Sequence, residues 1–207
     1  MRGTEHRDHT LTTSPNLGQP RRRAPWVCLV PVLIAAVAGA VPLRAQKSKP
    51  TDYDVKAAYL YNFGKFVEWP EKTAGEDGDS FAICVLGRDP FGPALDTTLM
   101  GQSIGGKKAI ARRIAKVEDA AGCRILFISA SEEDRLTNVM AALGHMVVLT
   151  VSDIPQFSQR GGMIQFVSAE NRVRFEVNLS NTASVNLTLS SELLKVATAV
   201  RKNESGD

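Results

Sequence analysis

The sequence predicts an α/β domain: a three-layer sandwich with a mixed, mostly parallel central sheet flanked by helices, finished by a C-terminal hairpin and helix. Three observations carry this expectation. Short, unbroken apolar runs at 81–87, 123–129 and 147–151 have the length and continuity of strands buried on both faces, the pattern of a parallel sheet. Between them lie stretches with helical caps, which gives the order strand, helix, strand, helix, strand. Two further runs, 163–168 and 172–178, are joined by Ala169-Glu170-Asn171 and read as a hairpin.

Each element has its own local reason. Residues 54–68 place Val55, Ala58, Tyr59, Phe63, Phe66 and Val67 on one helical stripe, with Asp52 as the expected cap and Trp69-Pro70 as the stop. A polar, glycine-bearing stretch, 71–80, leads into strand 81–87. Asp89-Pro90 has the cap-then-proline form of a helix start, with the helix running to about Met100. Gly105-Gly106-Lys107-Lys108 is a flexible turn before a strand at 109–114, and the strand at 123–129 follows. Ser131 is expected to cap a helix through Leu143, whose first turn carries Glu132, Glu133 and Asp134 and suits the positive end of the helix dipole. After strand 147–151, Gly161-Gly162 opens the hairpin. Ser190 begins a last helix that reaches about Val200.

At 207 residues and 43% hydrophobic content, the chain buries one sizeable core and is short for two domains of typical size. Six of its 25 Lys/Arg and two of its 22 Asp/Glu fall in residues 1–45, so the formal charge of +3 belongs to the amino terminus. The remainder lacks the basic footprint of a nucleic-acid binder. The amino terminus has the parts of an export signal: Arg21, Arg22 and Arg23 as a positive region, an uncharged, mostly apolar run at 26–41, and small residues offering cleavage after Ala40 or Ala45. The run is short for a membrane span and carries Pro31, with Pro42 at its end; an uncleaved anchor is the alternative. The expected organisation is an N-terminal extension and signal at 1–45, a short linker at 46–52, one domain at 53–201 and a polar tail at 202–207. The expected location is the periplasm.

Beyond the leader, which holds Cys28, two cysteines remain, Cys84 and Cys123. In an oxidising compartment a lone pair in a small domain reads as a disulfide between neighbouring strands; two buried free thiols are the alternative. With one histidine, His145, and cysteines far apart, no metal or cofactor site is expected. Ligands of open sheets sit beyond the carboxyl ends of the strands. Those positions are Gly87-Arg88-Asp89, Ser129-Ala130-Ser131 and Ser152-Asp153-Ile154-Pro155. Asp89, Ser131 and Asp153 all stand where helix caps are expected, so no catalytic residue is assigned. A small-molecule pocket using Arg88, Asp89 and Asp153 is the alternative function.

The segments that carry a family resemblance are 55–70 (Val-Lys-Ala-Ala-Tyr-Leu-Tyr-Asn-Phe-Gly-Lys-Phe-Val-Glu-Trp-Pro), 81–87, 161–167, 174–178 and 190–197, in order and with matching spacing. Together they resemble the YfiR family over about 53–200. The resemblance implies a periplasmic regulator, not an enzyme, whose partner is the periplasmic sensor domain of a membrane-bound diguanylate cyclase. Holding that cyclase inactive keeps cyclic di-GMP output and biofilm formation low. It also implies a bridge at Cys84 and Cys123. A second bridge of the best-known members has no counterpart here, which leaves a structural role and a redox switch both open. Residues 180–186 are more polar than the family's usual short helix. Tyr61 and Trp69 lie off the expected stripe of the first helix and, beside Lys65 and Glu68, are candidate contacts for the partner; the alternative is that they pack against the sheet's edge. A homodimer is a further expectation left open.

Overall fold

The computed structural model describes residues 49–70 and 80–202. The chain divides into units 1–46 and 47–207, and the structure below is that of the second. The expected export signal, its cleavage sites and Cys28 lie outside the described residues, as do 71–79 and 203–207.

Helix α1, Asp52–Phe66, starts one residue earlier than the expected cap allows. Thr51 is the cap: the Asp54 N–H donates to Thr51 Oγ1 at 3.2 Å, and the Thr51 N–H donates to Asp54 Oδ2 at 2.7 Å. The hydrogen bonds from Thr51 hold the Asp54 carboxyl below its ordinary range. The buried face is Ala57, Leu60, Phe63 and Gly64, whereas Ala58 is exposed and Phe66 is 38% exposed. This rotation from the expected stripe follows from Gly64, where a Cβ would sit 2.7 Å from Ile104 Cδ1. The smallest residue faces the sheet because the helix approaches closely there. Residues 67–68 are not helical: β1, Val67–Glu68, pairs antiparallel with β9, Thr188–Leu189.

The other strands are β2, Ser80–Leu86; β3, Ser103–Ile104; β4, Lys107–Ile114; β5, Ile125–Ile128; β6, Leu149–Ser152; β7, Ile164–Ala169; β8, Arg172–Asn178; and β10, Ala199–Arg201. They form one sheet in the order β10-β8-β7-β6-β5-β2-β4-β3. The run from β7 through β6, β5 and β2 to β4 is parallel throughout, and β7–β8 and β3–β4 are antiparallel. The expected hairpin is present, turned by Glu170 and Asn171 at φ 51° and 60°, the left-handed pair that a two-residue hairpin loop requires.

Helices α2, Pro93–Leu99; α3, Leu136–Leu143; α4, Leu179–Ala183; and α5, Ser191–Val196 complete the layers. Three expectations are corrected. Asp89-Pro90 does not open α2: Gly92, at φ 54°, interrupts the backbone, and the helix begins at Pro93. Ser131 does not cap α3: Ser129 accepts from the Ser131 N–H, and a 3₁₀ turn at 130–135 precedes the α-helix. Ser190 does cap the last helix, through the Leu193 N–H, but that helix stops at Val196 and the chain returns as β10, parallel to β8.

The sheet separates two cores. Under α1, α2 and α5 lie Phe63, Phe81, Phe91, Phe127, Phe166 and Phe175. On the other face, under α3, lie Ala82, Cys84, Leu86, Leu126, Ile128 and Phe157. Cys84 and Cys123 form a disulfide there, with Cα atoms 5.9 Å apart.

Candidate functional site

The sheet reverses its direction of growth at β2: the chain moves out to β4, then back to β5 on β2's other side. Crevices at such switch points are where open α/β sheets bind ligands. Here the crevice is filled from within. Gly87 follows β2 at φ 88°, and a Cβ there would run into Glu132 Oε1 and lie 2.5 Å from Ser131 Oγ. The Arg88 N–H donates to Ser131 Oγ at 2.9 Å, Ser131 Oγ donates to Glu132 Oε1 at 3.3 Å, and Arg135 Nε donates to Glu132 Oε2. Glu132 is only 5% exposed. The chain's own Ser131 hydroxyl and Glu132 carboxylate therefore lie against the carboxyl end of β2.

The expected strand-end residues do not converge. Arg88 points its side chain to solvent. Asp89 accepts from the Phe91 N–H at 2.8 Å and from Arg113 Nε at 2.8 Å. Arg113 continues to Asp96 at 2.6 Å and to the Gly92 carbonyl at 2.9 Å. Its hydrogen bond holds the Asp96 carboxyl below the usual range, and Asp96 in turn raises the guanidinium pKa. This cluster clamps the loop before α2 onto β4.

Asp153, beyond β6, belongs to a different group. Asp153 Oδ2 accepts from Lys56 Nζ at 2.6 Å and from the Tyr53 hydroxyl at 2.9 Å, tying the first turns of α1 to the sheet. The Lys56 and Asp153 side chains are 12% and 14% exposed. Lys56 Nζ also lies 4.2 Å from the Tyr53 ring centre and 5.9 Å from that of Phe166. Burial, reinforced by the bond to Asp153, pushes the Tyr53 phenol up to about 12. Beside this group is a cavity of about 330 Å³ lined by Asp52, Lys56, Ala130, Asp153, Phe166 and Ser168. Tyr53 and Lys56 were not singled out from the sequence. The signal was their three-residue spacing, which puts both on one helix face.

Tyr61 and Trp69 are half-buried rather than exposed. The Tyr61 hydroxyl donates to Gln102 Oε1 at 3.0 Å, and Lys65 Nζ stands 5.4 Å from its ring centre. Trp69 meets Phe81 edge-on at 5.6 Å and carries the Arg124 guanidinium over its ring at 5.6 Å. It lines a second cavity of about 250 Å³ with Lys65, Lys107 and Arg124. His145 enters none of these groups, and among the described residues no cluster of three or more His, Cys, Asp or Glu side chains is placed to hold a metal. Among the same residues no helix is long and apolar enough to cross a membrane.

These features define an α/β domain that fills its own ligand crevice, turns its buried charges on one another and is closed by one disulfide. The YfiR/HmsC-like family model matches residues 53–198, and the chain belongs to that family, whose members are regulators rather than enzymes. No curated protein matched. Among solved structures, a conserved domain protein from Vibrio cholerae O1 biovar El Tor strain N16961 aligns at 11% identity and a TM-score of 0.44, over 58% of this chain and 54% of that one. The chain thus spans about half the length of that protein.

Proposed function

We propose that this chain is a periplasmic, non-catalytic repressor that docks on the periplasmic sensor domain of a membrane-bound diguanylate cyclase and holds it inactive. The observation that carries this reading is the family match, which runs from the first turn of α1 to the residue after Ala197. The disulfide accords with an oxidising compartment reached through an N-terminal signal. Repression requires tighter binding to the inactive state of the cyclase than to the active one, and the coupling is only as large as that difference. Tyr61 and Trp69, at the carboxyl end of α1, are the proposed contacts.

Coexpression with a cyclase whose sensor domain binds this chain is expected to lower cyclic di-GMP, and Trp69→Ala to restore it; because Trp69 also packs edge-on against Phe81, the melting temperature of that variant is expected to fall, and the comparison is made on folded protein below it. Unchanged cyclic di-GMP on coexpression rejects the repressor. A second reading, a binding module for a small solute, is favoured by the cavity beside Lys56 and Asp153; its residue set excludes Arg88 and Asp89. A solute at a hundred times its dissociation constant would stabilise the domain by about 2.7 kcal/mol, which thermal-shift screening detects.

A further inference from the structure

Three neighbouring parallel strands end on one cavity. Ala130 lies two residues beyond β5, Asp153 follows β6 directly, and Ser168 is next to last in β7; with Lys56 of α1 they line the space of about 330 Å³. The carboxyl ends of parallel strands are where open α/β sheets bind ligands. Small-molecule pockets begin at about 300 Å³, so this cavity has the size for one ring and not for a chain of them. Its apolar side is Phe166 and Val173.

The polar side carries unmet hydrogen bonds of both kinds. Asp153 Oδ2 accepts from Lys56 and Tyr53, whereas Asp153 Oδ1 is buried and accepts from no group among the described residues. A buried acceptor left so is costly, and a donor relieves it. Lys56 Nζ has three N–H groups and gives one hydrogen bond among the described residues, to Asp153. The charges decide what answers both. An anion meets Asp52 and Asp153 as well as Lys56, and an amine has to displace Lys56 from Asp153. A neutral hydroxyl donates to the carboxylate and accepts from the ammonium at once, and two adjacent hydroxyls on a ring do so without displacing either. One water bridges the pair but takes only about 30 Å³ of the space. We propose that this cavity binds a neutral polyhydroxylated ring, a single sugar or cyclitol, with hydroxyls on Lys56 and Asp153 and its C–H face toward Phe166 and Val173. The inference rests on the solute-binding reading above and names the class of its solute.

The test titrates the purified, isotope-labelled full chain with D-glucose, D-galactose, D-mannose, D-ribose and myo-inositol one at a time, with putrescine and acetate as charged comparators, and follows amide shifts by NMR. At least one neutral polyol is expected to move the Ala130, Asp153 and Ser168 amides saturably, and the charged solutes are not. Lys56→Met and Asp153→Asn each remove a charged hydrogen-bonding group while keeping the side chain's bulk, and each should weaken that polyol about tenfold or more. Ser168→Trp, at an exposed position on the rim, should abolish binding with the melting temperature kept, and it carries the test should the other variants not fold. Shifts of the same amides by putrescine or acetate, alone or equally with the polyols, would overturn the polyol class and leave a solute site standing. No shift with any solute would overturn the solute-binding reading as well. Polyol binding that Lys56→Met and Ser168→Trp both leave unchanged would put the sugar outside this cavity and overturn the proposal.

Discussion

Beneath α1, Phe63 stacks on Phe166 at 5.9 Å and meets Phe175 edge-on at 5.1 Å, while Phe127 meets Phe91 edge-on at 4.8 Å. On the other face of the same strands, small and aliphatic side chains pack under α3, and the covalent bond between Cys84 and Cys123 runs through them. One face is held by large rings with directional contacts. The other packs mostly aliphatic side chains around Phe157 and adds a cross-link that acts on the unfolded chain. A sheet can thus be secured by different physics on its two faces, and the ion pair of Lys56 and Asp153 sits on the aromatic one, where Lys56 lies over Tyr53.

The largest expected effect breaks the aromatic face: Phe63→Ala should cost about 4 to 5 kcal/mol in urea-unfolding experiments, because its ring neighbours cannot collapse into the cavity. Next is the cross-linked face, where joint Cys84→Ser and Cys123→Ser replacement should cost about 4 kcal/mol by the chain-entropy relation for a separation of 39 residues. Cys84 is fully buried, so reductant should act on the native protein only after it opens. Rapid alkylation of both cysteines under native conditions with mild reductant would instead mark the bridge as an accessible switch.

A smaller effect sharpens the contrast. Asp153→Ala should cost about 3 kcal/mol, since it leaves the Lys56 ammonium largely buried without its counter-ion, whereas Lys56→Met should cost less because its chain remains apolar against the rings. Small losses for both variants would show that packing, not charge, joins α1 to the end of β6. The smallest effect is on the pH scale. The Tyr53 phenol, pushed from 10.0 to about 12 in the fold, keeps its stabilising contribution below pH 10 and loses it as the pH rises toward 12. Ultraviolet titration should show a late phenolate step near pH 12 that Tyr53→Phe removes; a titration that Tyr53→Phe leaves unchanged would exclude a buried, protonated Tyr53.

Strands β2, β5 and β6 were legible because burial on both faces demands an unbroken apolar run, as in Phe81-Ala-Ile-Cys-Val-Leu. Ladders that exist only through tertiary contact were not. β1 and β9 are two residues each, and Val67-Glu68 carries no period that separates it from the end of a helix. β10 hides in what reads as the tail of α5, where Ala197 is extended and stops the helix without glycine or proline. The buried face of α1 is displaced from the stripe its apolar pattern suggests: Ala58, on that stripe, is exposed, Leu60, off it, is fully buried, and close approach to the sheet selects Ala57 and Gly64. At the site, Asp153 was legible from its place after a buried strand. Its partners were not, since Lys56 and Tyr53 come from about a hundred positions away. Nothing local marks Glu132 as the plug of the crevice: a glutamate in a first turn reads as a dipole partner, and only the sheet's reversal at β2 shows what it fills.

The bridge from Cys84 to Cys123 encloses α2, β3 and β4 in a covalent ring. Tension applied along β4 therefore travels around a closed loop and into the middle of β2, instead of along the chain to its ends. A pull on that strand works against a hoop anchored at the centre of the sheet.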